Sequence, residues 1–341
     1  MEVPRKRRGT GRVTLADVAK SAGVGTMTVS RALRMPDQVS SKLRDKIQQV
    51  IDELGYIPNQ AAGALASGKS NSIVVILPSF VDKMCSQFIP TFQEVLNKAG
   101  HQLILGYSNH STVQEEQLLS TLLASNPSAV VLFGSDYSEQ STKMIKNAQL
   151  TIMEVTEINK FASDLNIGID HYQASKDMTQ YLINKGYKNI AFIGCQSKHN
   201  LLQKQLRGWQ SAMLNNYLSP DHFLIANDIA NIQLGTQGLS ELLLKQSNLD
   251  AIICSNEDIA MGVLFECQRR VIKVPKNIAI TTLDGALLSR QSVPTLTSID
   301  IDYTKMAKKA AQRLLERLLD KEVNNNTQID VGYKLCERAS S

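Results

Sequence analysis

In the segment "TMTVSRALR", three side chains could do recognition chemistry together: Met27, Arg31 and Arg34. At about 100° of turn per helical residue they share one face, while Val29, Ala32 and Leu33 share the other. Arginine can pair with guanine and methionine can touch a thymine methyl, so such a face can read bases in a major groove. A second set of polar residues stands at the ends of apolar runs: Ser79 in "LPSF", Glu154 in "IMEV", Asn256 in "CSNEDIAMG" and Asp284 in "ITTLDG". A strand that is apolar throughout presents only its last residues to a cleft, which makes these four natural contacts for a small ligand. Each alone could equally be a strand-end cap or a turn residue.

Catalytic chemistry has no comparable signal. "GVGTMT" superficially suggests a dinucleotide loop, but it follows a helical pattern instead of a strand and lacks the third glycine. There is no G-x-S-x-G, H-E-x-x-H or Walker loop. The histidines His101, His110, His171, His199 and His222 show no ligand spacing. Cys85, Cys195, Cys254, Cys267 and Cys336 are odd in number and widely spaced, which fits reduced thiols rather than disulfides or zinc. No enzyme activity, metal or cofactor is expected.

The elements that would carry the first face are helical. Leu15, Val18, Ala19 and Ala22 form an apolar stripe after Thr14, a suitable N-cap with Asp17 three residues on, and Gly23 ends the pattern. From Ser40, "SSKLRDKIQQVIDELG" repeats the stripe at Leu43, Ile47, Val50, Ile51 and Leu54 and stops at Gly55. Two helices joined by a tight glycine turn and braced by a third are the plan of a helix-turn-helix head, although an unspecialised bundle would show the same stripes. Charge favours the head: residues 1–69 carry 12 Lys+Arg against 6 Asp+Glu, and the rest 25 against 26, within a net charge of +5. A positive excess confined to one end suits a nucleic-acid module on a neutral domain.

Beyond Ser72 strands and helices alternate, through "SIVVILPSF", "HQLILGYS", "AVVLFGS" and "LTIMEVTE", then "NIAFIGC", "HFLIAND", "DAIICS" and "NIAITTLD". This is the rhythm of parallel sheets, and two such series imply two α/β lobes with a cleft between them. Near Asp300, "SVPTLTSIDIDYTKMAKKAAQRLLERLLDK" supplies a late crossover and a helix.

"TLADVAKSAGVGTMTVSRALR" followed by "VSSKLRDKIQQVIDELGYIPN" resembles the signature of the LacI/GalR family of bacterial repressors. The resemblance implies an all-α helix-turn-helix head (1–58), a hinge (59–70) and an α/β effector-binding and dimerisation unit (71–341). That unit would have two doubly wound lobes, like a periplasmic sugar-binding protein. It implies DNA contacts from Thr14, Thr26, Met27, Thr28, Ser30, Arg31 and Arg34, and from Asn59, Ala62 and Leu65 in the hinge. Leu65 matches the leucine that wedges open a minor-groove step. Gly63 and Gln60 depart from the family's hinge and imply a segment that depends on DNA for its order.

The resemblance also implies effector contacts at Ser79, Glu154, Asn256 and Asp284, and from "HNLLQKQLRGWQSAM". Here the expected arginine is Gln205, leaving Lys204 and Arg207 as nearby cations. A methionine before "TVSR", the "LPS", "FECQR" and a late D-x-G-Y are most similar to the branch that controls gluconate and idonate use. A sugar acid such as gluconate or its phosphate is then the implied effector, with a neutral sugar or nucleoside as the alternative.

One reading helix contacts too little DNA for specificity, so a homodimer on a pseudo-palindromic operator is expected. No heptad helix follows "VGYKLCERASS", which argues against tetramers. The basic N-terminus lacks the apolar core of a signal peptide and no apolar run approaches the roughly 20 residues that span a bilayer, so a cytoplasmic protein without a membrane partner is expected.

Overall fold

The computed structural model describes residues 13–58, 70–135, 137–159, 162, 164–195, 199–227, 229–245, 248–285, 287–319 and 327–341. The chain divides into two compact units, 1–70 and 71–341.

In the first unit, α1 (Leu15–Ala22) begins with a reciprocal cap. The Thr14 amide donates to Asp17 Oδ2 at 2.9 Å, and the Asp17 amide donates to Thr14 Oγ1 at 3.4 Å. Gly23 ends the helix at φ +69°, a left-handed conformation that a side chain would strain. Then follow α2 (Thr26–Arg34) and α3 (Ser41–Leu54), the latter closed by Gly55 at φ +61°. Val18, Ala19, Ala22, Val29, Ala32, Ile47, Val50 and Ile51 form the shared core. Small residues dominate it on α1 and α2, which lets three short helices pack closely. Leu33 departs from the expected stripe and is 36% exposed: it lies about 100° around α2 from Ala32, at the rim of the surface that the other helices cover.

The second unit holds two six-stranded sheets. One has β1 (Ser72–Leu77), β2 (Gln102–Tyr107), β3 (Ala129–Phe133), β4 (Thr151–Glu157), β5 (Leu165–Ile169) and β11 (Gln328–Asp330), in the order β11-β5-β4-β3-β1-β2. The other has β6 (Ile190–Cys195), β7 (Phe223–Ala226), β8 (Ala251–Cys254), β9 (Ala279–Thr282), β10 (Thr297–Asp300) and β12 (Lys334–Cys336), in the order β12-β10-β9-β8-β6-β7. All pairings are parallel except β10 with β12. Burial of parallel strands on both faces explains runs such as "AVVLF".

Helices cover the sheets. They are α4 (Lys83–Lys98), α5 (Thr112–Leu123), α6 (Glu139–Asn147), α7 (His171–Asn184), α8 (His199–Asn215), α9 (Ile232–Lys245), α10 (Glu257–Arg269), α11 (Leu287–Gln291) and α12 (Tyr303–Leu318). The chain passes between lobes three times: after β5, after β10 through α12, and between β11 and β12. Tight helix pairs fix the second lobe. A Cβ on Gly262 would overlap the Ile232 carbonyl oxygen, so α9 and α10 approach backbone to backbone. Among the described residues no helix is long and apolar enough to cross a membrane.

Candidate functional site

The outer face of α2 is bare. Met27 is 72% exposed, Thr26, Arg31 and Arg34 are exposed, and Thr28 and Ser30 are half-buried. Neither arginine forms an ion pair among the described residues, and the first turn of α2 carries no acidic side chain. A helix whose cations are unneutralised and whose opposite face alone packs into the core can offer them to phosphate or to a base edge. Thr14 stands exposed at the start of α1, with its hydroxyl donating to Asp17 Oδ2 at 2.7 Å. Asn59, Ala62 and Leu65 lie outside the described residues.

In the second unit a cleft of about 500 Å³ opens between the lobes, at the carboxyl ends of the strands. This is where parallel α/β folds bind ligands, and the volume suits a small molecule. Ser79, Gln205, Asn256 and Asp284 all line it. Ser79, just past β1, accepts the Val81 and Asp82 amides at 3.2 Å each and so shapes the turn into α4. Asn256 caps α10 through the Ile259 amide at 3.1 Å. Gln205 is 2% exposed, and its buried Oε1 has no hydrogen-bond partner. A ligand hydroxyl or amine reaching that oxygen would satisfy it.

Glu154, Lys204 and Arg207 are not among the residues lining the cleft. β4 runs three residues beyond Glu154, so its carboxyl end is Glu157; Glu154 instead sits in mid-sheet, beside Leu132 and Asn166, and accepts from Asn159 Nδ2 at 2.8 Å. On α8, Arg207 lies about 200° from Gln205, and with Gln205 turned inward it is exposed. Lys204, on the flank, pairs with the buried Glu157 at 2.7 Å and donates to the Ile158 carbonyl at 2.9 Å. That pair links α8 of one lobe to β4 of the other.

The cleft also holds residues that strand-end reasoning does not reach. Lys83, the first residue of α4, meets Asp284 Oδ1 at 3.3 Å and donates to the Gly285 carbonyl, joining the lobes a second time. The Tyr303 hydroxyl donates to the same Asp284 oxygen at 3.2 Å. Burial, and then the Asp284 charge, push the Tyr303 phenol well above its ordinary pKa and keep it a donor. Asp258 is pushed up by burial and by Glu257, Asp82 and Asp284, a sign of crowded negative charge. Burial holds the His171 pKa below its usual value, so the imidazole is neutral, with Nε2 3.2 Å from the Thr156 carbonyl oxygen. The signal for Lys83 is its place one turn past "LPSF", where a helix start faces the same cleft as the strand end. Among the described residues no cluster could hold a metal ion.

A three-helix head and a two-lobed α/β unit with a cleft at its strand ends define a class, the bacterial DNA-binding regulators that respond to small ligands. Residues 14–59 match bacterial regulatory proteins of the lacI family, and 179–341 match the periplasmic binding protein-like domain. The chain is 32% identical over 329 residues to the HTH-type transcriptional regulator GntR of Escherichia coli K12, covering 96% of this chain and 98% of that protein. A solved PurR family transcriptional regulator from Vibrio parahaemolyticus is 48% identical, with a TM-score of 0.74 over 79% of this chain and 98% of that one. A LacI family regulator from Silicibacter pomeroyi superposes with a TM-score of 0.88 at 28% identity, over 96% of this chain and 99% of that one. The chain belongs to the LacI family. It is a DNA-binding transcriptional regulator and, like its relatives, not an enzyme.

Proposed function

We propose that this regulator is a homodimeric repressor of a pseudo-palindromic operator, released by a sugar acid such as gluconate or its phosphate. In this reading 1–58 is the DNA-binding head, 59–70 the hinge, and 71–341 the effector and dimerisation unit. Met27 and Arg31 read bases; Thr14, Thr26, Thr28, Ser30 and Arg34 position the head on the backbone; and Asn59, Ala62 and Leu65 enter the minor groove. The bare face of α2 supports the first assignment. Dimerisation follows from the small reach of one reading helix.

The observation that carries the effector assignment is Lys83, the one lysine or arginine among the described residues lining the cleft, together with end-to-end similarity to GntR. A ligand carboxylate needs a cation when the cleft closes over it, since an unpaired buried charge is expensive. Ser79, Gln205, Asn256 and Asp284 then hold the hydroxyls. Effector binding shifts one lobe against the other and weakens operator affinity by a coupling of about 1–3 kcal/mol.

A second reading, a neutral sugar or nucleoside, is favoured by Asp82, Asp258 and Asp284, which make the cleft rich in acceptors. Calorimetry of the full chain with gluconate, its phosphorylated form and a neutral hexose separates the two. Tighter binding of either acid supports the proposal, and tightest binding of the neutral sugar supports the second reading.

A further inference from the structure

We propose that Lys83 gives the cleft its preference for an anion, and that it does so by exchange: the ligand's carboxylate takes the ammonium that Asp284 holds in this structure. The inference rests on the sugar-acid reading above and adds to it the exchange with Asp284, the direction of the ligand and the consequence for the lobes.

Lys83 spans the cleft. It begins α4 on the lobe of β1, and its partners Asp284 and the Gly285 carbonyl follow β9 on the other lobe. The ammonium lies 5.4 Å from the centre of the Tyr303 ring. At 3.3 Å the contact with Asp284 is longer than the roughly 2.7–2.9 Å of a well-formed charge-assisted bond, so a free carboxylate can improve on it. Asp284 is not stranded by the exchange, because the Tyr303 hydroxyl remains as a donor at 3.2 Å.

The other candidate cations are committed elsewhere, Lys204 to Glu157 and Arg207 to the exposed side of α8. Asp82, Glu257 and Asp258 also line the cleft and disfavour an anion beside them. At the α8 side, the buried Gln205 Oε1 asks for a donor. A polyhydroxy acid therefore lies with its carboxylate at Lys83 and hydroxyls toward Gln205. A neutral polyol leaves the Lys83–Asp284 bridge in place, whereas an acid removes one of the ion pairs that tie the lobes together, leaving Lys204–Glu157.

The test is calorimetry on the full chain with gluconate and with glucitol, which has the same carbon chain without the carboxylate. Lys83→Met is expected to lose gluconate affinity about tenfold or more with glucitol changed little, and Lys83→Arg to keep the preference. Asp284→Asn removes the competing carboxylate, so the gluconate-to-glucitol affinity ratio rises severalfold; taking the ratio cancels any change in hydroxyl binding that the two ligands share. Should Lys83→Met fail to fold, the Asp284→Asn ratio decides alone. An undiminished preference in Lys83→Met, or a ratio that is unchanged or lower in Asp284→Asn, overturns the exchange and leaves the sugar-acid reading standing. A wild-type chain that prefers glucitol, or that binds neither these two compounds nor phosphorylated gluconate, overturns both.

Discussion

The outer face of α2 and the cleft of the second unit hold their polar groups under opposite constraints. On α2, Met27, Arg31 and Arg34 project from a helix whose other face does the packing, so in the reading proposed above recognition and stability reside in different side chains. In the cleft, Ser79 shapes a turn, Asn256 caps a helix, and Lys83, Asp284 and Tyr303 hold one another across two lobes. A substitution there changes the framework together with the contact. On that reading the head can evolve a new sequence preference at little structural cost, while a new effector preference must be found within a network that also sets how the lobes meet.

If packing and recognition are separate in the head, the largest effect comes from its core and not from its face. Ile47 is fully buried among the three helices, and Ile47→Ala should cost about 2–5 kcal/mol, more than so small a core can spare. Circular dichroism and gel-shift assays should show loss of head helicity and of binding to operator and random DNA alike, with the melting of the second unit unchanged. Arg31→Ala comes next: about 1–3 kcal/mol lost at the operator, less on random DNA, and no change in melting. Equal losses on both DNAs would assign Arg31 to phosphate. Thr14→Ala removes one half of the α1 cap and should lower head stability by about 1 kcal/mol, read from its denaturation midpoint, with Thr14→Ser largely restoring it.

The smallest effect belongs to His171 in the cleft. Buried and neutral, it takes a proton only below the value of about 6.5 at which the unfolded chain does. The unfolded state therefore holds the extra proton in that interval, and His171 makes stability fall as pH drops below about 6.5. Melting curves of the second unit should show a shallower decline over that range in His171→Gln than in wild type. An identical slope in both would mean that the imidazole titrates normally.

The same contrast explains what is legible in the sequence. Helical phase alone puts Met27, Arg31 and Arg34 on one face, and Thr14 with Asp17 marks where α1 begins, because these are local properties of a few consecutive residues. The long apolar strands are legible for a similar reason. β5, β11 and β12 are not: Asn166 and Gly168 interrupt the apolar run of β5, and β11 and β12 have three residues each and are placed by partners elsewhere in the chain. Glu154 reads as a strand end because nothing local shows that β4 continues to Glu157. Lys204 and Arg207 look equivalent beside Gln205 until the fold fixes which side of α8 turns inward. Lys83 needs the most distant information of all, since its partner is 201 residues away.

Everything proposed for the cleft matters to transcription only if a ligand held there controls DNA binding by the head. To measure that control, duplexes are selected from a random pool with the full chain, and gluconate is then titrated into the labelled protein–DNA complex while fluorescence anisotropy is followed. Enrichment of a pseudo-palindrome is expected, with a loss of affinity for it of about 5- to 150-fold at saturating gluconate, corresponding to a coupling of about 1–3 kcal/mol, and no such loss with glucitol. An affinity for the selected duplex that stays constant while calorimetry shows the cleft to be filled would contradict it.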